Sequence, residues 1–377
     1  MIVELKNGIR PHGAVILPPS KSEAIRAALL LALSGEDPAR AVEGFPGQEL
    51  SSDILCALSA VGSSRHYVGG SAALMRMLTP VLLLEGRAEI EGEARVIERG
   101  IAEFESCFSV NASYTDRGFV IEKKLDEERY AIDCSRSSQF LSGLLIALPL
   151  LPHDCEITVL NGLVSKPYAD MTLDLVRLFG GRIDETEAGC VTHPSKYAAP
   201  DKIPVTGDRS YAAVFEAMNV LGGDVEIIGS SDDTLQPDKD LMKLADMAEC
   251  DITDCPDLLP VLAACACGKR GDTVIRGTRR LRTKESDRES SVVKLIRDLG
   301  GSAEVLSDAV MIHGSGRLNG GECSSLGDHR LAFAAAVMSM ISDKPVTVDG
   351  AECVNKSAPR FWNDLERIGY GLDWKQR

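Results

Sequence analysis

The sequence has little of three things: paired cysteines, positive charge and long apolar runs. Acidic residues outnumber basic ones, 56 to 41, which leaves a formal net charge of −15. Proteins that bind nucleic acids or anionic membrane surfaces usually carry the opposite charge. The longest apolar run, residues 27–33, is too short to cross a bilayer, and the N-terminus lacks a signal-peptide pattern. We therefore expect a soluble, cytoplasmic protein without nucleic-acid or membrane partners.

The cysteines do not indicate a disulfide framework or a zinc site. The chain has eleven of them, an odd number, and none forms a C-x-x-C pair. Cys265 and Cys267 lie in an apolar run, where small core residues are a more frequent explanation than a metal or redox role. We expect reduced thiols, no metal ion and no cofactor.

A helix and strand pattern recurs along the chain. Each copy has a small-residue apolar helix, a turn, a β-rich stretch, a polar segment with Lys, and an amphipathic helix ended by Gly. The three clearest copies span 144–181, 261–301 and 336–370, and fainter copies begin near Ser20, Ser71 and Asp208. Their uneven spacing argues against a solenoid. In a chain of 377 residues, six units predict two α/β domains of three units each.

Polar residues precede the leading helix of every copy. These stretches are 19–22, 69–72, 135–139, 207–210, 254–257 and 327–330. Ser and Asp are good N-cap residues, so capping alone explains any one of the stretches. Capping does not require the neighbouring side chains of Lys21, Arg26, Gln139, His329 and Arg330. Taken together, the stretches favour a site for phosphate and carboxylate groups at helix N-termini.

The segment 282–289, RTKESDRE, packs six charges into eight positions before an apolar helical stripe. Ser286 and Glu289 fit a capping box, which makes Glu289 a structural residue. Lys284, Glu285 and Arg288 lie at or before the predicted helix start, where a solvated loop would not need so many opposed charges. A solvated charged loop remains the alternative to a functional one.

Seven fragments, in order, resemble the enolpyruvyl transferases. They are PPSKSEAIRAALLLAL (18–33), SSQFLSGLL (137–145), LVSKPYADMTLDL (163–175), PDLLP (256–260), KESDR (284–288), GDHRLAFAAAV (327–337) and NKSAPRFW (355–362). The resemblance implies transfer of the enolpyruvyl group of phosphoenolpyruvate to the 5-hydroxyl of shikimate 3-phosphate, with release of phosphate, in aromatic amino-acid biosynthesis. It also implies two inverse α/β barrel-like domains of three repeated units. We expect one domain at 20–204, shortened near 54–69 to little more than a turn, and the other at 1–19 plus 205–377.

The resemblance also implies the site residues. Those expected to hold phosphoenolpyruvate are Lys21, Arg95, Gln139, Arg288, Arg330 and Lys356. Those expected to hold shikimate 3-phosphate are Ser22, Arg26, Ser137, Ser138, Gln139, Ser165, Tyr168, Asp257 and Lys284. In the chemistry, Asp257 takes the hydroxyl proton, Glu285 protonates the methylene carbon, Lys21 assists the leaving phosphate, and His329 is a helper.

The chain departs from the family pattern at 69–76, GGSAALMR. The family carries Asn, Gly and Thr where this chain has Gly70, Ala72 and Ala73. The herbicide glyphosate occupies the phosphoenolpyruvate site of this family and lies against the Gly that Ala72 replaces, so the extra methyl group should crowd it. Arg280 stands where an Asn that contacts shikimate 3-phosphate is common, and Ala94 replaces the Pro before Arg95.

Two other readings stay open at this point. One is an enolpyruvyl transferase that acts on another acceptor, such as the enzyme of cell-wall synthesis that uses UDP-N-acetylglucosamine. That enzyme typically uses a reactive loop Cys. The other is a non-catalytic homologue that binds shikimate 3-phosphate or a protein partner, which the altered 69–76 stretch would suit. For the leading interpretation as well as for these two, we expect a monomer.

Overall fold

The computed structural model describes residues 1–60, 65–231 and 234–375. The chain divides into two compact units. Unit A comprises Met1–Pro18 and the chain from Gly207 onward, and unit B comprises Pro19–Thr206. The chain passes from one unit to the other at 18–19 and at 206–207.

The helices and strands alternate along both units. The α-helices are α1 (Lys21–Leu33), α2 (Ser52–Ala60), α3 (Ala72–Leu83), α4 (Ala94–Arg99), α5 (Ala102–Phe108), α6 (Gln139–Ala147), α7 (Lys166–Leu178), α8 (Arg209–Val220), α9 (Leu241–Asp246), α10 (Leu259–Cys267), α11 (Arg288–Asp298), α12 (His329–Ser339) and α13 (Phe361–Arg367). Short 3-10 helices cover Pro38–Val42, Leu148–Leu150, Pro237–Asp240, Pro256–Leu258, Arg279–Thr283 and Ala351–Lys356. The strands are β1 (Ile2–Leu5), β2 (His12–Ile16), β3 (His66–Tyr67), β4 (Arg87–Glu91), β5 (Ser113–Thr115), β6 (Gly118–Glu122), β7 (Arg129–Asp133), β8 (Cys155–Leu160), β9 (Arg182–Thr186), β10 (Gly189–His193), β11 (Asp224–Ile228), β12 (Glu249–Asp251), β13 (Arg270–Arg276), β14 (Ser302–Val305), β15 (Ala309–Ser315), β16 (Gly321–Ser324), β17 (Val346–Asp349) and β18 (Leu372–Lys375).

Four of the sheets share one plan. Each has four strands, of which the first pair is parallel and the remaining pairs are antiparallel. Their strand orders are β3-β4-β6-β5 and β7-β8-β10-β9 in unit B, and β12-β13-β15-β14 and β16-β17-β1-β18 in unit A. In unit A, β2 and β11 form a two-stranded parallel sheet. The shared plan is the structural form of the sequence pattern, while the count of six units stays a prediction.

Each unit surrounds its own apolar core. In unit B the core joins α1, α3 and α6 to the inner faces of the two sheets. In unit A it joins α8, α10 and α12 to the three sheets. Small residues let these helices approach closely. Gly143 on α6 is the clearest case, because a Cβ at this position would lie 2.6 Å from the backbone oxygen of Arg76 on α3.

The expectation of little more than a turn at 54–69 is wrong. Helix α2 continues to Ala60, and β3 pairs in parallel with β4 through His66 and Tyr67. The apolar residues Ile54 and Ala57 are buried, so this short segment still supplies a helical face to the core. Residues 61–64, which the same expectation covered, lie outside the described residues.

None of the helices in the described part of the chain is long and apolar enough to cross a membrane. All eleven cysteines are free thiols, and eight of them are buried. Burial raises the pKa of both Cys265 and Cys267 to about 12, so they are protonated and unreactive at neutral pH.

Candidate active site

A buried arginine is the centre of the charged cluster in unit A. Arg288, the first residue of α11, is 1% exposed. Its guanidinium donates to Asp328 at 2.9 Å, to Asp257 at 2.8 Å and to Glu285 at 2.8 Å. Burial opposes the charge of Arg288, but these three carboxylates outweigh it and raise its pKa above the ordinary value. Arg288 therefore remains charged and holds three acidic residues in place.

Asp257 bridges two arginines. Its second oxygen accepts from Arg330 at 2.7 Å, opposite the bond from Arg288. Burial alone would raise the pKa of the Asp257 carboxyl, but Arg330, Lys284 and Arg288 hold it well below its usual range. The carboxyl is thus fully ionised at neutral pH and can accept a proton.

Glu285 also has two cationic partners. Besides Arg288, it accepts from the ammonium group of Lys356 at 3.2 Å. The adjacent Lys284 is half-buried, and burial is the main reason that its pKa falls to about 7, against the opposing attraction of Asp257. Ion pairs therefore join Asp257, Glu285, Arg288, Arg330 and Lys356 in one network, with Lys284 beside it.

The start of α11 differs from the predicted capping box. Asp287, one residue later than expected, is the N-cap and accepts from the backbone N–H of Ser290 at 3.2 Å. Ser286 instead donates its hydroxyl to Asp328 at 3.2 Å, because the buried carboxylate beside Arg288 is a stronger acceptor. Glu289 is fully buried and accepts from Thr278 at 2.7 Å, which fits the structural role predicted for it.

The start of α12 supplies the remaining residues of the cluster in unit A. Asp328 caps the helix through the backbone N–H of Arg330 and is also the partner of Arg288. The cap holds the backbone of Arg330 in the first turn of α12, from which its side chain reaches Asp257. His329 is 1% exposed and packs edge-on against Phe333 at 5.5 Å between ring centroids.

In unit B, Arg26 is buried within the helix layer. It is 2% exposed and donates to the hydroxyl of Thr172 at 2.6 Å and to the backbone oxygens of Ser22 at 2.6 Å and Tyr168 at 3.0 Å. Burial lowers the pKa of Arg26 to about 10, which still leaves it charged at neutral pH. Arg26 thereby ties α1 to α7 and fixes two predicted ligands of shikimate 3-phosphate, Ser22 and Tyr168.

A second group of predicted residues surrounds the start of α6. Ser138 is the N-cap residue of α6 and is buried. The hydroxyl of Ser137 accepts from the backbone N–H of Gln139 at 3.3 Å. The side chain of Gln139 accepts from Arg76 at 3.0 Å. Arg76 also lies over the ring of Phe140, 4.6 Å from its centroid, so its position is well determined.

Three further predicted residues are held by other contacts. Lys21 forms an ion pair with Asp53 at 3.1 Å, and Arg95 on α4 is half-exposed and pairs with Glu98 at 3.4 Å. Ser165 precedes α7 in a left-handed backbone conformation, with φ of 53°. Its carbonyl accepts from the backbone N–H of Tyr168 at 3.1 Å.

Three residues that pair with predicted site residues were not predicted from the sequence. Asp53 pairs with Lys21, Arg76 with Gln139, and Asp328 with Arg288. Each lies in a segment already singled out: Asp53 at the edge of the shortened segment, Arg76 in the altered stretch, and Asp328 in a helix cap. The signal that could have found them is a charged or polar residue in an apolar stretch, of a type that can pair with a predicted ligand.

The altered stretch 69–76 forms the start of α3. Ser71 caps the helix by accepting from the backbone N–H of Leu74 at 3.4 Å, and Ala72 is buried at the first helical position. Arg280, at the other departure, donates to the backbone oxygen of Thr253. Both substitutions are therefore accommodated by ordinary local structure.

Two α/β units, each with ionised and hydrogen-bonding groups gathered at helix starts, define a protein that handles anionic small molecules. A family model described as EPSP synthase (3-phosphoshikimate 1-carboxyvinyltransferase) matches residues 57–248 and 242–365, and the chain belongs to this family. A protein of Clostridium kluyveri named 3-phosphoshikimate 1-carboxyvinyltransferase is 32% identical over 97% of each chain. One of the same name from Methanocorpusculum labreanum is 30% identical over 95% of this chain and 96% of its own.

Solved structures agree on the fold. An EPSP synthase from Acinetobacter baumannii matches over 100% of both chains with a TM-score of 0.75, at 19% sequence identity. The two-domain α/β class predicted from the sequence is confirmed, as is the resemblance to the enolpyruvyl transferases.

Proposed function

We propose that this protein is a transferase that moves the enolpyruvyl group of phosphoenolpyruvate to the 5-hydroxyl of shikimate 3-phosphate and releases phosphate. Membership of the EPSP synthase family and the names of full-length relatives support this activity. The observation that carries it is the ion-pair network of unit A, in which Asp257 and Glu285 share Arg288. Addition of an alcohol to the double bond of an enol phosphate needs a base for the hydroxyl and an acid for the methylene carbon.

Asp257 is the base in this proposal, and substrate binding strengthens it. Arg288 and Arg330 hold the Asp257 carboxylate at 2.8 and 2.7 Å, and both are predicted ligands of phosphoenolpyruvate. An anion that shares these cations weakens their effect on Asp257, so the pKa of the carboxyl rises towards its usual value. Asp257 then takes the proton of the 5-hydroxyl more readily with substrate bound than without it.

Glu285 protonates the methylene carbon as the hydroxyl adds, and takes a proton back from the resulting methyl group as phosphate leaves. Lys21 assists the departing phosphate. Lys356 and Arg288 orient the Glu285 carboxyl through its two oxygens. Ser22, Arg26, Ser137, Ser138, Gln139, Ser165, Tyr168 and Lys284 hold shikimate 3-phosphate in this proposal, and Lys21, Arg95, Gln139, Arg288, Arg330 and Lys356 hold phosphoenolpyruvate. His329 precedes Arg330 in the chain and packs against Phe333, and in this proposal it helps to position Arg330.

One assay tests the activity. Phosphate release is measured with phosphoenolpyruvate and shikimate 3-phosphate together, and with each alone. Release only with both substrates supports the proposal. Release with phosphoenolpyruvate and UDP-N-acetylglucosamine would identify a different acceptor, and no release with any pair would identify a non-catalytic homologue.

Substitutions test the two carboxylates. Asp257→Asn and Glu285→Gln should each lower turnover by roughly 10²- to 10⁴-fold, because each removes a proton-transfer group and leaves the shape of the side chain nearly unchanged. Glu249→Gln is the matched control, since Glu249 is an exposed carboxylate of the same unit that pairs with Arg276. Turnover that stays unchanged in Asp257→Asn or Glu285→Gln would remove that residue from the mechanism.

We also propose that the protein works as a cytoplasmic monomer without nucleic-acid or membrane partners. The net charge of −15 supports the absence of anionic macromolecular partners. Light scattering coupled to gel filtration tests the monomer, and a mass of twice the chain or more would contradict it.

A further inference from the structure

Unit A contains a buried carboxyl group that the proposed mechanism does not use. Asp238 lies in the 3-10 helix Pro237–Asp240 and is 1% exposed. One of its oxygens accepts from the hydroxyl of Ser210, in the first turn of α8. The other, Oδ1, is buried and has no hydrogen-bond partner among the described residues. A buried carboxylate oxygen without a donor is unfavourable, and a neutral carboxylic acid in the same place costs less because it carries no buried charge.

The surroundings of Asp238 belong to the same cluster as the candidate base. Helix α8 packs against the 3-10 helices that carry Asp238 and Asp257, and against α12, which begins next to Arg330. The charged groups that act on Asp238 are the carboxylates of Asp257 and Asp208 and the guanidinium of Arg330. On α8, the buried Arg209 donates to the backbone oxygen of Lys239 and pairs with Glu216 at 2.7 Å. Burial first, and then the charge of Asp257, raise the pKa of Asp238 to about 7, against the opposing effects of Arg330 and Ser210.

We propose that Asp238 is a positioning residue for the transfer reaction that acts through the Asp257–Arg330 pair. When Asp238 is a neutral acid, the positive charge of Arg330 interacts with Asp257 and with an anionic substrate. When Asp238 is a carboxylate, its negative charge partly offsets that of Arg330. This inference rests on the proposed function, in which Arg330 holds phosphoenolpyruvate. Asp238 does not itself touch the reacting atoms in this proposal.

The direction of the pH effect follows from the charge. Below neutral pH, Asp238 is uncharged and Arg330 offers its full charge to phosphoenolpyruvate. Above neutral pH, Asp238 carries a negative charge that repels the substrate, so the KM for phosphoenolpyruvate rises. A coupling of ordinary strength between two such sites changes affinity by a factor on the order of ten.

The test compares the protein with Asp238→Asn, whose amide imitates the neutral acid at every pH. The KM for phosphoenolpyruvate is measured from about pH 6 to about pH 9, a range that brackets the titration. The ratio of the two KM values cancels the ionisation of the substrate and of Lys284. We expect a ratio of wild type to variant near one at the acid end that rises about tenfold at the alkaline end. A variant that is equally impaired at every pH shows a purely structural role and overturns the inference.

Two controls keep the result specific. Asp364→Asn changes another buried carboxyl of unit A, which accepts from Tyr211 at 2.8 Å, and should leave the pH dependence unchanged. Ser210→Ala removes the hydroxyl that favours the charged form, so the rise in KM should move to higher pH. If Asp238→Asn does not fold, Ser210→Ala decides the question, because an unmoved profile overturns the inference.

Infrared difference spectroscopy separates this inference from the proposed function. A carboxylic-acid carbonyl band should be present in the wild type at acid pH, disappear as the pH rises past neutrality, and be absent from Asp238→Asn. Normal phosphate release without such a band overturns the role of Asp238 alone. A band without any phosphate release overturns the proposed function, and with it the role in substrate binding, although Asp238 is then still neutral at acid pH.

Discussion

Asp257 and Lys284 are opposite charges in one cluster, and both have displaced pKa values. Arginine neighbours hold the pKa of Asp257 well below its usual range, and burial lowers that of Lys284 to about 7. Arg288 acts on both groups, since a cation stabilises a carboxylate and destabilises an ammonium ion. A bound anion would share these cations and move both pKa values back towards their ordinary ones. Substrate binding and proton affinity are therefore coupled at this site.

Lys284 should make the protein less stable than it could be. Its pKa is about 7 in the folded protein and about 10.4 in an unfolded chain, so the unfolded state binds more protons between these values. The free energy of unfolding of the wild type should thus rise with pH across this window. Because Lys284 is only half-buried, we expect Lys284→Met to be more stable by about 1 to 2 kcal/mol near pH 6, with the gain lost towards pH 10.

Urea titrations at several pH values measure this gain. Lys294→Met is the control, since Lys294 is an exposed lysine of the same unit that pairs with Asp298 at 2.6 Å. Its effect on stability should not depend on pH between neutrality and about pH 9. A gain in Lys284→Met that stays constant with pH would contradict the displaced pKa.

Ala72 should set the response to glyphosate. It is buried at the first position of α3, where the family carries Gly, and an added methyl group in a filled site costs about 1 to 3 kcal/mol. Glyphosate is longer than phosphoenolpyruvate, so the methyl group should crowd the inhibitor more than the substrate. We expect Ala72→Gly to increase glyphosate affinity by roughly 5- to 150-fold while the KM for phosphoenolpyruvate changes less.

Inhibition curves at a fixed phosphoenolpyruvate concentration check this expectation. Ala73→Gly removes the next methyl group along the helix and serves as the control, with little change in inhibition. Strong inhibition of the wild type, or equal effects of the two substitutions, would show that Ala72 does not line the inhibitor site.

At the scale of elements, the contact between α3 and α6 links packing to the site. A Cβ on Gly143 would lie 2.6 Å from the Arg76 backbone oxygen and 2.9 Å from Pro80 Cγ. Arg76 in turn donates to Gln139 at the start of α6. Gly143→Ala should therefore lower the free energy of unfolding by about 1 to 3 kcal/mol and raise the KM values for the substrates, through displacement of Gln139.

Gly44→Ala gives the matched control for Gly143→Ala. Nothing lies within 4 Å of a Cβ built on Gly44, and its φ is not positive. Thermal unfolding and steady-state kinetics of both variants measure the effect. Equal melting temperatures for the two variants would mean that α3 and α6 can separate without cost.

Element types were more predictable than element boundaries. The leading helices start at the polar stretches because Ser20, Ser71, Asp208 and Asp328 each accept a backbone N–H, a local interaction that sequence encodes. The start of α11 shifted by one residue because Ser286 is drawn to Asp328, which is 42 residues away in sequence. The segment around α2 was underestimated for a similar reason, since its burial depends on the tertiary core.

Site residues show the same division. The charged residues of 284–288 were predicted as site residues because so many charges lie close together in the sequence. The structure joins them to Asp257, Arg330 and Lys356. Asp238 could not be nominated, because its environment is set by Ser210 and Asp257 from other parts of the chain. Burial and long-range charge, rather than residue type, distinguish it from the other acidic residues.

At the scale of the whole molecule, the two units have separate apolar cores and are joined at two points in the chain. Compact units with their own cores can unfold independently. Both tryptophans, Trp362 and Trp374, belong to unit A. Tryptophan fluorescence therefore reports on unit A, whereas far-UV circular dichroism reports on the helices and strands of both units.

We predict that the two signals follow different urea transitions, and that Gly143→Ala separates them further. Gly143 lies in unit B, so its substitution should lower the midpoint of the transition seen only by circular dichroism and leave the fluorescence midpoint in place. Gly44→Ala, also in unit B, should move neither midpoint. If both signals instead follow one transition, and Gly143→Ala shifts the two midpoints by the same amount, the units unfold as a single cooperative body and their separate cores do not give them separate stability.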